Sequence, residues 1–171
     1  MLKGNKGHTS ITISNSTNNL IVNVQDLTGS HHAPGISGTS CGNVFWKVLW
    51  RDDTSYEAHG GQPYANLFDQ CQGGFMYGRW GGALKVQPNH LEKLIFWNFK
   101  HIGKPQKNFK FWRKKSKWGR ILPPIIVGFH GSKIQFDTSQ IEYLESLGRP
   151  VYPCSLYRAQ FDFRISQKHN E

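Results

Sequence analysis

The residues best equipped to act by charge lie between Lys100 and Arg120. This segment carries Lys100, Lys104, Lys107, Lys110, Arg113, Lys114, Lys115, Lys117 and Arg120, and no acidic residue. The chain of 171 residues has a formal net charge of +10, so nearly all of the excess sits in this one stretch. Focused charge concentrates anions near a surface and speeds their encounter with it. Phe109, Phe111, Trp112 and Trp118 are interleaved with the basic residues. Cations that track phosphates beside rings that stack on bases are the ingredients of a single-stranded nucleic-acid groove. Strand alternation through Asn108–Arg113 puts Phe109 and Phe111 on one face, expected to be core, and Lys110 and Trp112 on the other. The candidate polyanion-binding set is therefore Lys104, Lys107, Lys110, Arg113, Lys114, Lys115, Lys117, Arg120, Trp112 and Trp118.

A second group could do acid–base chemistry. There are eight histidines, and His31-His32 lies in a loop rich in Gly and Ser. With Glu57, His59 and His130 this pair could form a general acid–base set of the kind used by metal-free ribonucleases. Ser30-His31-His32-Ala33-Pro34 resembles a short run of the fungal ribotoxins, small basic ribonucleases that use a histidine there. That resemblance implies an acid–base role for His32. It covers five residues, and neither a second catalytic histidine nor a disulfide pattern aligns with it. No H-x₃₋₅-H or CxxC spacing points to a metal, and no GxSxG, Walker or Rossmann pattern points to a cofactor. Cys41, Cys71 and Cys154 are odd in number and widely spaced, as expected of reduced and mostly buried thiols. Trp46 and Trp50 are expected on one face in the core. Tyr64, Tyr77 and Trp80 fall in glycine-rich turns, where exposed rings could hold sugars.

The elements that must position these groups read as short strands. Charged residues make up only 19% of the chain, and turn formers are frequent, which suits strands better than long surface helices. Thr9–Ser14 and Leu20–Val24 alternate around a polar turn and suggest a hairpin or two neighbouring strands. Val44–Trp50 reads as one central strand. Ser139 and Glu142 form a capping box ahead of Ile141, Leu144 and Leu147, which predicts a helix that stops at Gly148. Tyr157, Ala159, Phe161, Phe163 and Ile165 alternate with polar residues and predict a final, half-buried strand. No internal repeat and no linker stand out, so residues 1–171 read as a single β-rich domain with a basic segment at 100–120.

This pattern leads to an antiparallel β-sandwich or barrel, jelly-roll-like, with one or two short helices. The function that follows is polyanion binding, with nucleic acid as partner and a small viral coat or capsid-associated protein as the concrete version. Such a role leaves room for a homo-oligomer. The alternatives are a glycan- or membrane-binding lectin or toxin, and a small metal-independent ribonuclease. Enzymatic activity is not the leading expectation, and no cofactor is expected. No stretch is long and apolar enough to span a membrane, and Met1–Ser10 lacks the apolar core of a secretory signal. An intracellular or virion location is expected over a secreted one.

Overall fold

The computed structural model describes residues 1–4, 7–76, 78–113 and 119–168. Its strands do not form a sandwich. Every ladder between strands is parallel, and the chain winds as a β-solenoid of about five coils. The long sheet stacks Leu20–Val22, Val44–Trp46, Leu67–Asp69, Ile95–Trp97, Ile125–Val127 and Tyr143–Glu145. A second sheet stacks Gln25–Asp26, Leu49–Trp50, Gln72–Gly73, Lys100–His101 and His130–Gly131. A third contains Thr12–Ser14, Gly35–Ser37 and Glu57–Ala58, and Gln106–Phe109 pairs with Ile134–Phe136. The antiparallel sandwich or barrel, and the jelly roll with it, is therefore corrected.

The reason lies at one corner of each coil. Asn23, Lys47, Gln70, Asn98, Gly128 and Ser146 all have φ between 49° and 68°. A left-handed residue bends a strand sharply, and Asn and Gly adopt this conformation most readily. The first five each donate their backbone N–H to the strand end of the next coil, as Asn23 does to Trp46 at 3.0 Å. Val44–Trp50 is thus two strands on two sheets, bent at Lys47. Trp46 and Trp50 do not share a face. Trp50 is fully buried, while Trp46 packs outside against Tyr157, with ring centroids 5.5 Å apart. Likewise Thr12–Ser14 and Leu20–Val22 do not pair as a hairpin; each pairs with the following coil.

The corner also exposes a repeat that the residue types hide. Each coil places one large apolar side chain at the centre of its long-sheet strand. Phe45, Phe68 and Phe96 are in register and stack at 4.8 and 5.4 Å. Further rings, among them Phe75, Phe99, Phe109, Phe111 and Phe129, fill the interior. Phe109 and Phe111 are in the core, as strand alternation predicts.

A polar ladder runs beside this stack. Asn19, Asn43, Asn66 and His90 follow one another at intervals of 24, 23 and 24 residues. Asn43 Oδ1 accepts from the backbone and side chain of Asn19, and Asn66 Oδ1 accepts likewise from Asn43. Asn66 Nδ2 then donates to His90 Nε2 at 3.0 Å, and His90 Nδ1 donates to the Leu91 carbonyl at 2.7 Å. This arrangement requires neutral His90. Burial pushes its pKa from 6.5 down to about 4. The folded pKa lies below the unfolded one, so stability is full above pH 6.5 and falls as pH drops toward 4, where the dependence ends. We expect the loss to reach about 3 kcal/mol across that window, read as the shift of the urea midpoint between pH 7 and pH 4. A His90→Asn variant should flatten the profile.

Two C-terminal expectations change. Thr138–Gln140 is a single 3₁₀ turn, and Tyr143–Glu145 closes the long sheet as a strand, so no helix spans 139–147. Asp137, not Ser139, accepts the capping bond, from the Ser139 N–H. The strand expected through Tyr157 to Ile165 is instead part of an α-helix, Leu156–Lys168. Ser155 accepts from the Arg158 N–H at 3.1 Å, and buried Asp69 accepts from the Tyr157 N–H at 2.8 Å and from Ser155 Oγ at 2.6 Å. These contacts satisfy helix-end donors and tie the helix to the long sheet. Its alternating apolar residues find no second layer to enter, and none of its residues is buried.

Candidate functional site

Where the Ser/His-rich loop crosses the edge of the third sheet, the parallel winding gathers side chains from four places. The His32 N–H donates to the His8 carbonyl at 2.9 Å, which puts His8 and His32 on adjacent coils. Gly35 is in register with Glu57 one coil further on. Asp26 holds the approach. Its Oδ1 accepts from the Thr28 N–H and hydroxyl, Thr28 Oγ1 is 2.7 Å from Ser30 Oγ, and Ser10 donates to its other oxygen. This chain of bonds sets the turn that delivers His31 and His32.

Glu57 is the centre. Its side chain is buried, and Oε1 lies 2.6 Å from His59 Nδ1 and 3.4 Å from His32 Nε2. The His59 side chain is 49% exposed, so its other nitrogen can face solvent. A Cβ on Gly81 would fall 2.9 Å from Glu57 Oε1 and 3.0 Å from His59 Nδ1, so only glycine lets this loop pass so close. The rings of His8, His31 and His32 pack together, with centroids 4.4 to 5.8 Å apart. Arg79 Nη1 is 2.7 Å from His31 Nδ1, which makes that nitrogen the acceptor. Desolvation, then the Arg79 and His8 charges, lowers the His31 pKa. Desolvation also lowers that of His32, with neighbouring imidazoles adding to it and Glu57 and the Arg79 backbone opposing it. Both shifts favour the neutral forms of His31 and His32 beside the buried Glu57 side chain.

A charged cleft adjoins this cluster at Arg79. Arg79 and Lys104 line a cleft of about 380 Å³ with Asp52, Asp53, Met76 and Gln106. Asp53 is already paired with Arg51 at 2.7 Å. Past Gly81, the same loop supplies Leu84, Gln87 and Pro88 to a second cleft of about 260 Å³, with Trp112 and Arg120 on its other side. Asn89 joins the parts. Its side chain donates to the Ala58 and Gly81 carbonyls and accepts from the Arg120 N–H at 2.7 Å.

The predicted polyanion-binding residues thus divide. Lys104 shares a cleft with Arg79, and Arg120 lines the second cleft and stacks on the exposed Trp112 ring, 5.8 Å from its centroid. Lys107 and Arg113 are exposed. Lys110 is spoken for by Asp137 at 3.2 Å. Lys114, Lys115, Lys117 and Trp118 lie outside the described residues, as does Tyr77.

Of the acid–base candidates, His31, His32, Glu57 and His59 come together. His130 does not; it sits on the second sheet and donates to the Gly128 carbonyl. Trp80 is buried, so it is no sugar platform, whereas Tyr64 is exposed. The three cysteines are free, and only Cys71 is buried. Arg79 and His8 were not singled out by the sequence. The signal was there in their spacing, since His8, His32, Glu57 and Gly81 lie about one coil apart, but it is legible only once the coil is known.

Fold and site together define a parallel β-solenoid with an imidazole–carboxylate cluster on its flank. The chain belongs to the family described as Domain of unknown function (DUF4955), whose model matches residues 29–170. No curated protein and no solved structure matches it. No helix among the described residues is long and apolar enough to cross a membrane.

Proposed function

We propose that this protein binds an acidic polysaccharide along its basic flank and cleaves it by acid–base chemistry at Glu57 and His59. The observation that carries this reading is the 2.6 Å contact of buried Glu57 with a half-exposed imidazole, in a cluster whose His31 ring is bonded to Arg79. A carboxylate that accepts from one imidazole nitrogen fixes the ring and stabilises the cation formed when the other nitrogen takes a proton. Arg79 and Lys104 would hold the carboxylate of a uronate unit and acidify the adjacent C–H. His59 Nε2 takes that proton. The electron pair forms a carbon–carbon double bond, the glycosidic C–O bond breaks, and the departing oxygen takes a proton from water. Stacked coils repeat their side chains along one axis, which suits an extended polymer.

With Phe109 and Phe111 buried, exposed Trp112 is the ring of this segment, among the described residues, that could stack on a sugar or a base. The test is to incubate the protein with polyuronates, sulfated glycans, neutral glucan and RNA, and to follow ultraviolet absorbance of unsaturated uronate together with chain length. Shortening of polyuronate with gain of absorbance is expected. Cleavage of RNA alone would replace this reading with the ribonuclease one.

A further inference from the structure

The cluster holds a second arrangement, which shares Glu57 with the acid–base pair and adds His8 and His32. His8 and His32 each offer a ring nitrogen and Glu57 a carboxylate oxygen, and the three donor atoms lie within 4.8 Å of one another. Glu57 and His32 are 3% and 5% exposed, while His8 is open to solvent. His32 is poorly satisfied as an ordinary buried histidine. Its Nδ1 makes no hydrogen bond of normal distance and angle, although the Arg79 backbone lies near the ring, and its Nε2 stops 3.4 Å from Glu57 Oε1, beyond the usual hydrogen-bond range. Leaving a buried polar group unpaired is costly, so the position calls for another partner. The 3.4 Å spacing suits one. Two ligands of a tetrahedral zinc ion, each bonded at 2.0–2.2 Å, lie roughly 3.4 Å apart.

We propose that His8, His32 and Glu57 form a binding site for a first-row divalent transition metal, with zinc the best fit. Two imidazoles and one carboxylate are nitrogen and oxygen donors of the borderline class, which favours zinc and its neighbours over calcium or magnesium. Three protein ligands leave a fourth position for water or a substrate oxygen, and His8 on the open side gives an entry path. His59, which donates to Glu57, would orient that carboxylate as an outer partner. The missing side chain at Gly81 leaves space beside the Glu57 oxygen. The site stands on these residues alone and does not depend on the glycan reading.

The test is calorimetric titration of the chelator-treated full chain with zinc alone, repeated on His8→Ala, Glu57→Gln and the distant control His130→Ala. One zinc per chain is expected. Loss of a direct ligand should weaken binding by at least ~10-fold, the lower bound seen for outer-shell changes, with the control unchanged. His8 is exposed, so its variant reports on binding even if Glu57→Gln fails to fold. Absence of stoichiometric binding would overturn the proposal. So would binding that His8→Ala leaves intact, because zinc would then sit elsewhere.

Discussion

Replacing His59 by alanine should abolish most turnover while leaving the fold intact. The side chain is half exposed, and its one strong contact is Glu57, so its loss removes little packing. Surface changes of this kind usually alter stability by about 0.5 kcal/mol or less. A positioned general base contributes about 10²- to 10⁴-fold, and the rate on polyuronate should fall by that factor. KM should change little, because Arg79 and Lys104, not His59, are assigned to the substrate anion. A His59→Ala protein that cleaves at the parent rate removes His59 from the mechanism. A simultaneous large drop in melting temperature would show a structural role instead.

The second large effect falls on the asparagine ladder. Asn66 is fully buried and makes four side-chain hydrogen bonds. Its Oδ1 accepts from the Asn43 backbone and amide at 3.1 and 2.9 Å, and its Nδ2 donates to the Ser40 carbonyl and to His90. Asn66→Ala leaves the buried Asn43 N–H and His90 Nε2 without a partner, while Asn43 Nδ2 keeps the Ser16 carbonyl and the Ser40 carbonyl keeps the Tyr64 N–H. Each orphaned group costs about 1–3 kcal/mol, partly relieved by relaxation and water, so a net loss of about 3–5 kcal/mol is expected in urea unfolding. A loss under about 1 kcal/mol would mean that the ladder does not hold the coils together. Asn66→Leu keeps the volume and should be no better, which separates lost hydrogen bonds from a lost side chain.

Local features of this fold were legible, and its winding was not. The apolar run around Phe45 announces a strand, whereas the strands centred on Phe68 and Phe96 emerge only from the structure. A turn that reverses the chain and a corner that carries it into the next parallel coil use the same residues. The Asn19–His90 ladder spans a regular stretch, but the longer excursions after Leu67–Asp69 and Ile95–Trp97 break the period, and Lys47 and Gln70 at left-handed corners carry no glycine signature. The C-terminal helix misled for a related reason. Its apolar alternation fits a strand, and the cap that fixes it comes from Asp69, far away in the chain. Part of the candidate site was visible. His32, Glu57 and His59 suggested acid–base chemistry by type alone. Their meeting with His8 and Arg79 depends on register between coils, which no local pattern reports.

The most direct measurement is equilibrium binding of a polyuronate and of a neutral glucan to the parent chain and to an Arg79→Gln, Lys104→Gln variant across a salt series. The account predicts that only the polyuronate binds, that its affinity falls as salt rises, and that the variant binds more weakly with a flatter salt dependence. Equal binding of both glycans, or a variant that binds polyuronate as the parent does at every salt concentration, would contradict it.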